Sequence, residues 1–147
     1  MAIMRMDHVS IIVEDLPGAI EFFSTLGMDL LGEAAVEGDW VDRINGLDGM
    51  QVEIAMMRTP DGHGQIELTK IRRPALVEVT PAVQPPNTLG LRQVMFEVDD
   101  LDGTIARLHE AHGTELIGEV VQYLNYYRLA YVRGPVGIIV ALSEAVS

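Results

Sequence analysis

Cysteine is missing altogether from the 147 residues. Disulfide frameworks, thiolate zinc sites and cysteine nucleophiles are thereby excluded, while the compartment stays unfixed. Cations are scarce: Lys and Arg number 10 against 22 Asp and Glu, a formal net charge of -12. A surface this acidic repels phosphate backbones and anionic lipid, so neither nucleic acid nor a membrane is expected as a partner. No apolar run approaches the about 20 residues that a membrane span needs. The opening Met-Ala-Ile-Met-Arg-Met lacks the apolar core of a signal peptide, so a soluble cytoplasmic protein is the expectation. Glycine-rich phosphate loops and serine-centred nucleophile motifs are absent too. What remains is 48% hydrophobic and 22% charged, which is globular composition and rules out a disordered tail. Eight Met stand against three Phe and one Trp, the make-up of an adaptable interior or pocket wall.

The sequence repeats itself. Shifted by about 85 positions, His8–Ile20 (HVSIIVEDLPGAI) aligns with Gln93–Ile105 (QVMFEVDDLDGTI). Val9 meets Val94, Val13 meets Val98, Asp15 meets Asp100 and Gly18 meets Gly103. A shift of about 75 aligns Ala55 with Ala130, Arg58 with Arg133, Pro60 with Pro135 and Gly62 with Gly137. We read one domain over 1–147 made of two homologous modules, 4–70 and 90–144. The stretch 71–90 holds Pro74, Pro81, Pro85 and Pro86, which oppose helix and central strand alike, and reads as a linker.

Each module reads β-α-β-β-β. Val9, Ile11 and Val13 alternate on one face of a strand, with His8, Ser10 and Ile12 on the other. Asp15 suits a helix N-cap, Pro17 its first turn, and Leu16, Ile20 and Phe23 its apolar stripe. Strand 93–98, cap Asp100 and stripe Leu101, Ile105, Leu108 repeat the pattern. Further strands are predicted near 33–37, 51–58 and 64–70, and near 116–121, 126–133 and 137–143. The helix must cover the Val9/Ile11/Val13 face, because its stripe needs an apolar partner. His8, Glu67, Gln93 and Ala141 are then left at repeat-equivalent places on the opposite, open face, with Met95 beside them.

The motifs DHVSIIVEDLPGAIEFF, GQIELTK, LRQVMFEVDDLDGTIARL and VRGPVGIIVALSE resemble the vicinal oxygen chelate superfamily. That superfamily includes glyoxalase I, methylmalonyl-CoA epimerase, extradiol dioxygenases and bleomycin-resistance proteins. The resemblance spans nearly the whole chain. It implies an α+β fold in which paired βαβββ modules form a curved, cup-shaped mixed sheet with helices outside, in a homodimer. In metal-binding relatives a divalent ion sits in the cup, held from the first and last strands of each module. His8 and Glu67 match the first two ligand positions, Gln93 stands where His is common, and Ala141 where Glu is common.

An imidazole and a carboxylate make a start for Zn, Mn, Ni or Co. A Gln carbonyl coordinates without charge and an Ala methyl not at all, so an ion held by His8, Glu67 and Gln93 is expected to be weakly bound or absent. Two readings follow. One is a small-molecule binding protein of the bleomycin-resistance kind with an incomplete metal site. The other is a divalent-metal lyase or isomerase of glyoxalase or epimerase type with an atypical three-ligand site. Ring-cleaving dioxygenase chemistry fits worst, because it needs His and Glu at positions 93 and 141, and no catalytic base is assigned. Met95, Arg128 and Tyr131 are the candidate substrate-binding residues. Tyr123, Tyr126, Tyr127 and Tyr131 serve equally as a ligand wall or as ordinary strand residues. Glu37–Arg43 reads as a charged loop anchored by Trp40.

Overall fold

The computed structural model describes residues 2–146. The chain divides between Glu78 and Val79 into two compact units, each with its own four-stranded sheet. In the first unit β1 (Val9–Ile12), α1 (Leu16–Leu26), β2 (Asp29–Glu37), α2 (Asp39–Asn45), β3 (Gln51–Arg58) and β4 (Gln65–Arg73) follow in order. The second contains β5 (Gln93–Glu97), α3 (Leu101–His112), β6 (Val121–Tyr123), β7 (Tyr127–Arg133) and β8 (Ile139–Ala145). Sheet order is β1-β4-β3-β2 in one and β5-β8-β7-β6 in the other. In each, the first strand lies parallel to the last, and the others pair antiparallel. These are two βαβββ modules in an α+β fold, as the repeat predicted.

The last strand of each module is buried deepest because it is central. Ile66 and Leu68 of β4, and the whole run Ile139–Ser143 of β8, are buried. The helices cover one face. From α1, Leu16, Ala19, Phe22 and Phe23 are buried, with the two rings edge to face at 5.2 Å. Phe22 and Ala19, rather than Ile20, complete the α1 stripe. From α3, Leu101, Thr104 and Leu108 are buried.

Asp15 and Asp100 cap the two helices. Each carboxylate accepts the backbone N–H three residues on, from Gly18 and Gly103, at 3.0 Å. A Cβ on either glycine would collide with that carboxylate. The repeated Asp-x-x-Gly pattern is therefore one device: the cap closes tightly because its third residue has no side chain.

Strand β2 begins at Asp29 rather than near 33, β8 is shifted by two residues, and three further differences matter more. Strand β4 continues to Arg73, because Ile71 and Arg73 still pair with Val52 and Gln51, and Pro74 then ends it. The interval without helix or strand is thus 74–92. The predicted strand 116–121 is reduced to a bridge between Leu116 and Val132, with β6 beginning only at Val121. The supposed loop after Glu37 contains α2. Its anchor is Val41, buried with Met50 and Val52 and flanked by Val36, Ile54 and Ile71. Trp40 is 61% exposed. Asp42 holds the helix end by accepting from the N–H groups of Gly49 and Met50 at 2.9 and 2.8 Å.

The cap device predicts a non-additive pair of substitutions. Asp100→Ala should cost about 1 kcal/mol by urea unfolding. Gly103→Ala alone should give no gain, since the collision opposes its better helix propensity. Added to Asp100→Ala, it should stabilise by about 1 kcal/mol. Equal effects in both backgrounds would refute the coupling.

Candidate functional site

In the first unit, neighbours across the sheet form rows. Ser10, Glu67, Met56 and Gly32 make one row, and Ile11, Leu68, Ala55 and Glu33 the next, with opposite side-chain direction. The second row is the one against α1, since Ile11, Leu68 and Ala55 are buried. Glu67 therefore faces away from α1, as its alternation with Ile66 and Leu68 predicted. Further along that open face, α2 covers Val52 through Val41 and leaves the end near Glu67 uncovered.

The Glu67 carboxylate is well partnered. Its Oε1 accepts from the Ser10 hydroxyl at 3.2 Å and from the Thr69 hydroxyl at 2.8 Å. Its Oε2 lies 3.4 Å from His8 Nε2. The other ring nitrogen, His8 Nδ1, is 2.7 Å from Asp7 Oδ2, and Arg5 in turn reaches Asp7 at 3.0 Å. The side chains of His8 and Glu67 are 30% and 20% exposed, half-sheltered but open to a ligand. A neutral imidazole that donates from Nδ1 to Asp7 turns the lone pair of Nε2 toward the Glu67 side. That carboxylate–imidazole order is the outer support a metal-ligating His commonly has. An imidazolium would instead bridge two carboxylates as a double donor. The hydrogen bond from His8, and after it that from Arg5, holds the Asp7 carboxyl below its ordinary range. His8 and Glu67 could supply two donors to a divalent ion. Among the described residues, no group of three or more His, Asp and Glu is arranged to hold one.

In the second unit the rows are Gln93–Ile139–Arg133, Met95–Ala141–Tyr131 and Glu97–Ser143–Leu129. By the repeat, Met95–Ala141–Tyr131 is the counterpart of Ser10–Glu67–Met56. Where the first unit has a hydroxyl and a carboxylate, the second has a thioether and a methyl. Met95 is 51% and Tyr131 37% exposed, while Ala141 between them is fully buried. Gln93, exposed at the start of β5, lies one row away.

Arg128 is not on this face. It pairs with Glu144 of β8 and makes two bonds to Asp102 of α3, at 3.1 and 2.9 Å, so it points to the helix side. The structure brings Met95 and Tyr131 into one row and places Arg128 behind them. In the first unit, Glu53 is matched with Lys70 in register and ion-paired with Arg72 at 3.0 Å, the same place with charges exchanged. Asp7 was missed in the sequence. The signal was available, as the acid directly before His8. Tyr123, Tyr126 and Tyr127 are exposed around the β6–β7 turn, apart from the row of Tyr131.

Against this geometry, comparison with known proteins is informative. The sequence profile of the glyoxalase/bleomycin resistance protein/dioxygenase superfamily matches residues 7–131. The chain belongs to that superfamily. Among solved structures, a glyoxalase family protein from Bacillus cereus is 49% identical, with a TM-score of 0.94 and coverage of 100% of this chain and 99% of its own. TnmS3, an antibiotic binding protein from Streptomyces, is 25% identical over 99% of this chain and 98% of its own, with a TM-score of 0.60. A glyoxylase/bleomycin resistance protein/dioxygenase domain from Frankia shares the fold at 16% identity, covering 98% and 99% with a TM-score of 0.65. No curated protein matches the chain. No helix of the described residues of this superfamily member is long and apolar enough to cross a membrane.

Two carboxyl titrations check these contacts. Asp102 is held below its ordinary value mainly by the hydrogen bond from Arg128. Asp7 and Asp102 thus favour the fold above the ordinary carboxylate range, and lose that contribution as pH falls through their lowered folded values. Carboxyl NMR should show Asp102 titrating higher in Arg128→Met and Asp7 higher in His8→Phe. Unchanged titrations would contradict the assigned partners.

Proposed function

We propose that the protein is a small-molecule binding protein of the glyoxalase/bleomycin-resistance type with an incomplete metal site. The observation that carries this reading is the row Met95–Ala141–Tyr131, which presents apolar and aromatic surface where its repeat counterpart presents Glu67. Such surface with few polar groups suits an organic ligand, and it contains no anionic donor. Gln93 adds an uncharged carbonyl. The likeness to an antibiotic binding protein over nearly the full chain supports the same class of ligand. The proposal extends to a homodimer, for which half-exposed Leu30 and Leu31 on edge strand β2 offer apolar surface.

The second reading, a divalent-metal lyase or isomerase, is favoured by one feature: Asp7, His8 and Glu67 stand in the order of a supported metal ligand pair. A bound ion would act as a Lewis acid on a ligand carbonyl. His8 and Glu67 would hold it, Asp7 would orient the ring, and Ser10 and Thr69 would fix the carboxylate.

Isothermal titration with Zn, Mn, Ni and Co separates the two. The binding reading expects dissociation constants no tighter than millimolar. A stoichiometric ion retained through chelator-free purification, and lost in His8→Ala or Glu67→Ala, would establish the metal enzyme instead. In a thermal-shift screen of polycyclic aromatic antibiotics, stabilising compounds should lose their effect in Tyr131→Asp. A screen without any stabilising compound would count against the binding reading.

A further inference from the structure

The second unit has a cavity of about 170 Å³ at the start of β5 and β8, beside Gln93. Residues of the 74–92 stretch form one wall, with Val79 and Leu91 contributing apolar surface. Val136 and Ile139, from the turn before β8 and its first residue, face them. Two cations, Arg92 and Arg133, also line it.

Their charge is uncompensated. Arg5, Arg43, Arg72 and Arg128 each reach a carboxylate within 3.3 Å. Arg92 and Arg133 form no ion pair among the described residues, which is also true of Arg58, Lys70, Arg73 and Arg107; these two are set apart by lining one cavity together. Arg133 uses Nη1 on two backbone carbonyls, Gln84 at 2.8 Å and Gly137 at 2.9 Å. Those bonds pin the 74–92 stretch to the turn but neutralise nothing. Arg92 Nε is buried with no hydrogen-bond partner among the described residues. A buried donor on a charged group is costly to leave unmade. The backbone beside it is strained as well. Val136 has φ 51°, a left-handed conformation that a β-branched side chain rarely adopts, and it lines this cavity. Strain of that kind gathers at ligand sites, where the surrounding structure maintains it.

We propose that this cavity is a binding site for a small carboxylate with a short apolar tail. The carboxylate would accept from the guanidinium of Arg92 and lie in the field of Arg133. The tail would pack against Val79, Leu91, Val136 and Ile139. The cavity corresponds to the liquid volume of about six waters, which suits a chain of roughly six carbons. Charge-assisted bonds to guanidinium favour an anion over its neutral amide. The inference does not rest on the function proposed above, which uses neither arginine, although Ile139 and Arg133 form the row next to Met95–Ala141–Tyr131.

Isothermal titration of the full chain with hexanoate tests it, with hexanamide as the uncharged counterpart and sulfate as the anion without a tail. One hexanoate per chain is expected, bound at least tenfold tighter than either control and without change in elution volume on gel filtration. Arg92→Met keeps the length of the side chain and removes its donors. It should weaken hexanoate at least tenfold while circular dichroism stays unchanged. Val79→Asp, at the exposed rim, provides the second variant and should weaken hexanoate similarly by placing a competing carboxylate there. Hexanoate binding no tighter than hexanamide or sulfate would overturn the proposal. So would wild-type affinity in a folded variant, or dissociation of an oligomer by hexanoate, which would mean that a carboxylate of another copy is the natural occupant.

Discussion

Each unit depends on one strand being central, with parallel and antiparallel neighbours at once and apolar cover on the helix side. β4 and β8 are those strands, and the rest of each unit is arranged around them. A strand flanked on both edges has all its backbone groups paired, so its side chains are fixed in direction by register alone. That rigidity makes positions 67 and 141 useful places for chemistry. A side chain there cannot drift, and what it meets is set by neighbours on β1 and β3, or on β5 and β7.

Half-burying a carboxylate at such a position is unfavourable unless its oxygens find donors. Glu67 finds them within the same sheet: Ser10 from the parallel neighbour and Thr69 two residues along its own strand, with the His8 ring 3.4 Å away just before β1. The parallel register Ser10↔Glu67 is the reason a hydroxyl is within reach. The second unit avoids the problem. With Ala141 at the corresponding place, no donors are needed, and Met95 and Tyr131 occupy the places of Ser10 and Met56. One duplicated framework thus carries a polar, hydrogen-bonded row in one copy and an apolar row in the other.

Much of this was legible in the sequence because strand alternation and helical spacing are local signals. The alternation of Gln65–Thr69 gave the direction of Glu67, and Asp15 and Asp100 ahead of their apolar stripes marked both caps. Features set by tertiary contact were not legible. Helix α2 buries only Val41, which is too little to leave a period in seven residues. Arg128 resembled a pocket residue among tyrosines. Only the register Arg128↔Glu144 and the approach of Asp102 from α3 turn it to the helix side. Arg92 lies in a stretch without periodicity, so nothing in the sequence announced that its Nε would be buried without a partner.

The exchange of charges between Glu53/Lys70 and Arg128/Glu144 separates what the fold requires from what each copy can vary. Both pairs lie on the helix side, in register across the antiparallel pair that ends each module. The contacts differ with the order: Arg128 reaches Glu144 directly, whereas Glu53 pairs with Arg72 and Lys70 donates to the Glu14 carbonyl. The caps are different: Asp15 and Asp100 are the same residue with the same glycine, because only a short acceptor facing a residue without Cβ closes that turn. Positions 67 and 141 belong to neither group. Glutamate and alanine are not interchangeable on packing grounds, and the shell around each has changed with it: hydroxyls and imidazole around one, thioether and phenol around the other. The surroundings match in each case, hydroxyls beside the carboxylate and a thioether and a phenol beside the methyl, which supports the proposal of an organic ligand on the apolar row.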